Sequence, residues 1–200
     1  MGNKKELDYF YIENAYGGNQ DWFYDYMMRM GGCGAVTACD TCIYLDLYKN
    51  TNHLYPFDVG NLTKKDYINF SKIMKPYLHP RWSGIDTLEI YMDGFGKYLS
   101  EHGNGKPLMK PYYGTQDISG ARQCVVHQID NGLVIPFLLL KHIGTSFRFY
   151  EWHWFLLTGY ETFDDIFMVK AVTYGSWQWL DLDVLWDTGY RKKGGMVLFE

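Results

Sequence analysis

Apolar positions recur with a helical period up to about residue 131 and with a strand-like pattern after it. Over residues 21–30, apolar or aromatic side chains at 22, 23, 26, 27 and 30 predict a helix capped by Asn19 or Asp21. Gly31-Gly32 stops that helix. A second is predicted from Cys33 to about Tyr48, with small residues at 34, 35 and 38 and a stripe of Val36, Cys39, Ile43 and Leu47 that reads as buried. Asn61-Leu-Thr63 precedes a surface helix over 64–74, with Tyr67, Phe70 and Met74 inward and Pro76 and Pro80 beyond its end. Another helix is expected over 84–99, weakened in its second half by Gly94 and Gly96. A Gly/Asn/Pro-rich loop at 102–107 follows. Residues 117–131 suit a last helix, capped by Asp117 or Ser119 and closed by Asn131-Gly132.

Beyond it, branched and aromatic residues punctuated by Gly and Asp predict strands at 133–140, 147–160, 166–173, 176–181 and 195–200. Helices first and strands second define an α+β chain. Its 200 residues suit one domain, with a helical half over about 1–131 and a sheet half over about 132–200.

Charge narrows the classes of partner. The net charge is -4, and the longest basic run is Arg191-Lys192-Lys193, so no nucleic-acid partner is expected. The opening residues are polar with no apolar stretch after them, and Glu6 stands where a myristoylation pattern wants Ser or Thr. The longest apolar run, 133–140, is interrupted by Pro136 and is too short to span a bilayer. These features predict a soluble cytoplasmic protein with no membrane partner and with reduced cysteines. There is no phosphate loop, dinucleotide fingerprint or calcium loop, so neither cofactor nor metal is expected. The 18 Tyr and 7 Trp are read as core packing for the most part, with some rings left to line grooves.

Candidate chemistry begins at Cys33. It opens a helix, two glycines before it allow close approach of a substrate backbone, and unpaired N–H groups at a helix start favour a thiolate. Such a nucleophile needs a histidine from elsewhere in the fold. His53, His79 and His102 fall in loop-like, solvated stretches and His127 on a packing helix, which leaves His142 and His153. Cys39 and Cys42 have redox-motif spacing but lie inside a helix and read as packed thiols, and Cys124 reads as a lone core thiol. No second closely spaced Cys/His pair completes a zinc site.

Gly-Cys-Gly at 32–34, Ile-Asp-Asn-Gly at 129–132 running on to Ile135-Pro136, and Trp-His-Trp-Phe-Leu-Leu-Thr-Gly-Tyr at 152–160 resemble the papain-like cysteine peptidase superfamily. The style is that of the bacterial branch containing the double-glycine leader peptidases, and the likeness spans about residues 20–182. It implies a helical lobe carrying Cys33 as nucleophile and a sheet lobe carrying His153 as general base. It also implies an acyl-enzyme and a peptide or other acyl or amide substrate. Two departures stand out. The strand after the histidine, Met168-Val-Lys-Ala-Val-Thr-Tyr-Gly175, lacks the superfamily's orienting Asn or Asp. Pairing across a turn at 161–165 sets Thr173 near His153 as the orienter, with Asp181 as a more distant option or a solvent-facing strand residue. Met27 occupies the place of the superfamily's oxyanion glutamine, so Gln20 or Asn19 would have to fold back to serve. The function expected is a cysteine-dependent, peptidase-like hydrolase. The alternatives are an acyl or amide transferase on the same fold, an inactive papain-like protein that binds a peptide or partner, and a structural protein with no groove function.

Overall fold

The computed structural model describes residues 2–51, 53–81, 84–103 and 108–200; of the loop expected at 102–107, residues 104–107 lie outside them. The elements in chain order are β1 (Asn3–Glu6), β2 (Tyr11–Ile12), β3 (Ala15–Tyr16), α1 (Tyr26–Gly31) and α2 (Cys33–Lys49). They continue with α3 (Lys64–Met74), α4 (Leu88–His102), β4 (Met109–Tyr113), α5 (Ile118–Asp130) and β5 (Ile135–Leu139). β6 (His153–Phe163), β7 (Ile166–Thr173), β8 (Ser176–Asp181), α6 (Leu182–Trp186) and β9 (Gly195–Phe199) complete the chain. Short 3₁₀ helices lie at Gln20–Trp22 and Thr145–Tyr150.

The protein is a mixed helix and sheet structure with an antiparallel sheet in the order β4-β9-β5-β6-β7-β8. β6 organises it. Along one edge β5 pairs with its first half (Leu139 opposite His153, Ile135 opposite Leu157), and β1 pairs with its second half (Glu6 opposite Gly159, Asn3 opposite Thr162). Two strands that precede residue 131, β1 and β4, therefore join the sheet.

α2 packs on this sheet. Every residue from Cys33 to Leu45 is buried, so the helix is covered on all sides rather than along the single stripe its periodicity predicts. Its hydroxyls are satisfied within the helix: Thr37 donates to the Cys33 carbonyl (2.8 Å) and Thr41 to that of Thr37 (2.7 Å). Beside α2, Trp154 of β6 stacks on Tyr91 of α4 (centroids 4.2 Å apart) and donates its indole N–H to the Ile85 carbonyl (2.6 Å).

Other elements depart from the sequence pattern for local reasons. The helix expected over 21–30 is split: Asn19 caps the 3₁₀ turn, Phe23 is extended, and Asp25 caps α1 by accepting from Met28 N–H. α4 starts at Leu88, where Thr87 supplies the cap, and it keeps Gly94 because a Cβ there would fall 2.2 Å from the Tyr77 carbonyl oxygen. The aromatic run before residue 153 forms a 3₁₀ helix instead of extending β6.

Candidate functional site

α1 ends at Gly31 and α2 begins at Cys33 with only Gly32 between them. A Cβ on Gly32 would lie 2.2 Å from the Met28 carbonyl oxygen, so only glycine lets the chain turn that sharply. Because no side chain caps α2, its first N–H groups stay free for the site. The thiol feels the backbone N–H groups of Trp154 from β6, of Gly34 and of Cys33 itself. They pull the thiol's pKa down, but burial pushes it up further, and the net value is raised above the ordinary 9.0. Burial therefore works against the thiolate that the helix start favours.

His153 is the first residue of β6 and is buried. Its Nε2 meets Thr173 Oγ1 at 2.7 Å, so Nδ1 is the ring nitrogen that this bond does not occupy. β7 and β8 are joined by the two-residue turn Tyr174-Gly175, with φ of 51° and 71°. That turn lays the Tyr174 ring on the imidazole, centroids 4.8 Å apart and planes 6° apart. Burial alone pushes the His153 pKa down to about 4. Burial thus disfavours the charged form of both groups, the thiolate and the imidazolium.

Cys33 and His153 both line a cleft of about 610 Å³. Gln20 lines it too, buried rather than solvated, with Nε2 donating to the Arg29 carbonyl (3.0 Å) and Oε1 without a partner among the described residues. Asn19 turns away: it accepts from Asp21 N–H and donates to the Tyr174 carbonyl (3.2 Å). Tyr26, Met30, Phe149 and Trp152, all largely exposed, form an apolar rim, while Arg81 and Glu151 bring charge.

The other candidates have structural surroundings. His142 is buried, with Nε2 on the Val184 carbonyl (2.8 Å) and Nδ1 accepting from Gly144 N–H (2.8 Å). Asp181 neither reaches the cleft nor faces solvent as a strand residue; it ends β8 and caps α6, accepting from Asp183 N–H (2.9 Å). Cys39 and Cys42 are fully buried with thiols pushed well up, as packed cysteines should be, whereas Cys124 is only half-buried and not the core thiol expected. His102, expected to be merely solvated, stacks on Tyr98 with centroids 4.3 Å apart. No group of residues suited to holding a metal ion occurs among the described residues. No helix among them is long and apolar enough to cross a membrane.

Sequence reasoning passed over two contributors, the Trp154 backbone N–H and the Tyr174 ring. The ring had a visible signal, since an aromatic residue before glycine directly after a strand suggests a tight hairpin turn. No protein-family model, curated protein or solved structure matches the chain.

Proposed function

We propose that the cleft is the active site of a papain-like cysteine hydrolase of peptidase type. The observation that carries this reading is that Cys33, at the start of α2, and His153, at the start of β6, line the same cleft, with the imidazole fastened to Thr173. An acyl substrate in the cleft meets the thiol at its carbonyl carbon. As the S–C bond forms, His153 Nδ1 takes the thiol proton, so no thiolate has to exist beforehand. The carbonyl oxygen gains negative charge and is met by the Cys33 N–H and by the Gln20 amide, which has a second N–H beyond the one given to Arg29. The imidazolium returns the proton to the departing amine or alcohol. Water, deprotonated by the same imidazole, then adds to the thioester carbon; the S–C bond breaks, the acid leaves, and the imidazolium returns the proton to the Cys33 sulfur. Thr173 can hold the ring but brings no charge to stabilise an imidazolium, which argues for slow turnover. An amine in place of water would make the same site a transferase.

p-Nitrophenyl acetate tests the reading, because acylation releases p-nitrophenolate and adds an acetyl group that mass spectrometry can locate. The expected result is acetyl on Cys33, with the C33A variant losing at least about a thousandfold in acylation rate. Equal rates in the wild type and C33A would overturn it and favour an inactive peptide-binding cleft.

A further inference from the structure

Asp40 lies seven residues after Cys33 on α2, where it is buried and is the helix's one buried ionisable carboxyl among the described residues. Its carboxylate is surrounded by donors from three other segments. Gly18 N–H approaches both oxygens (3.2 and 3.0 Å), Tyr67 O–H donates to Oδ1 (2.7 Å) and Tyr9 O–H to Oδ2 (3.0 Å). Burial pushes both phenols well above their ordinary 10.0, so they stay protonated and donate. The same burial raises Asp40 to about 6, while the N–H of Gly18 and the two phenols hold it down.

This is a costly place for a carboxylate, and the loop it holds leads straight into the cleft. Gly17 and Gly18 pass so close that a Cβ on either would come within 2.7 Å of an Asp40 oxygen. Two residues after Gly18 stands Gln20. On its other flank the loop is fastened to the histidine's turn: Gly175 N–H donates to the Gly18 carbonyl (3.0 Å) and Tyr16 N–H to that of Gly175 (2.8 Å). Asp40 thus ties the nucleophile's helix to the segment that carries Gln20 and, through it, to the turn beside Thr173.

From this geometry we infer that Asp40 is a positioning residue, which acts through the Gly17-Gly18 loop to hold Gln20 where the oxyanion forms. The inference rests on the cysteine-hydrolase reading. It predicts that the Asp40 carboxylate matters for attack on a carbonyl and not for attack on a saturated carbon. Iodoacetamide alkylates by displacing iodide and builds no oxyanion, whereas p-nitrophenyl acetate does.

With the intact chain, D40N is expected to slow acylation of Cys33 by roughly ten- to a hundredfold and to leave its alkylation unchanged. In a Q20A background, D40N should add no further loss. Parallel slowing of both reactions, or an undiminished D40N effect in Q20A, overturns the inference. Should D40N not fold, Y9F removes one donor only and should show the same split on a smaller scale; no split in Y9F then overturns it. A wild-type protein whose Cys33 is alkylated but never acylated overturns the hydrolase reading itself, a result distinct from these.

Discussion

The cleft around Cys33 and a groove around Cys124 are similar in size, about 610 and 690 Å³, and each is lined by both a cysteine and a histidine. In the groove, Cys124 and His127 lie on one helix, α5. Cys124 sits inside α5, where its own N–H serves the helix and cannot turn to the sulfur. His127 is exposed, and its ring lies near the Asn131 amide (3.4 Å) rather than against a fixed orienting group inside the fold. In the cleft the two residues come from different elements, one ring nitrogen of the histidine is fastened by Thr173, and backbone N–H groups pull the thiol's pKa down. Proximity of residue types is thus common to both places. What separates them is backbone polarity aimed at the thiol and a base whose orientation is fixed.

The comparison breaks most visibly at the histidines. H153A should slow acylation by p-nitrophenyl acetate about a hundred- to ten-thousandfold, and H127A should leave it unchanged; similar rates for the two variants would dissolve the distinction. A smaller effect is expected from T173V, which removes the hydroxyl at nearly constant volume. Losing that hydrogen bond should cost about tenfold in the same assay, and a rate equal to wild type would mean that packing alone orients the ring.

The finest distinction lies in pH. The thiol of Cys33 is raised by burial and the imidazole of His153 is lowered to about 4, so burial favours the neutral form of both. Iodoacetamide labelling of Cys33, followed by mass spectrometry, should therefore climb through neutral pH with the thiolate fraction. Acylation that uses His153 as base should fall only as pH drops through about 4, where the ring takes up a proton. A flat labelling rate from about pH 5 upward would reveal a thiolate–imidazolium pair instead.

Much of this arrangement can be read from local sequence, because local forces make it. The start of α2 follows from Gly31-Gly32 and the run of small residues, α3 and α5 from caps and apolar spacing, and β7 and β8 from alternation and the glycine between them. Thr173 could be placed against His153 because a hairpin ties pairing to sequence distance. Gln20 followed only as a residue that would have to fold back. What stayed hidden depends on distant partners. Nothing in Asn3–Glu6 marks it as the partner of Gly159–Thr162, and Pro111 argues against β4, which tolerates it as the outermost strand. Asp40 carries no local signal either; only the adjacent glycines at 17 and 18 hint that something approaches closely there.

The division of β6 between two neighbours bears on how the molecule assembles. Helix α2 can form from contacts within itself, whereas β1 gains its partner only after the chain has been made as far as residue 162, since Asn3 lies opposite Thr162. Pairings this far apart in sequence carry a large loop-closure cost and slow folding. During synthesis the nucleophile's helix would therefore emerge well before the edge of β6 shared by β5 and β1 is fully covered, and the thiol would exist for a time without its base.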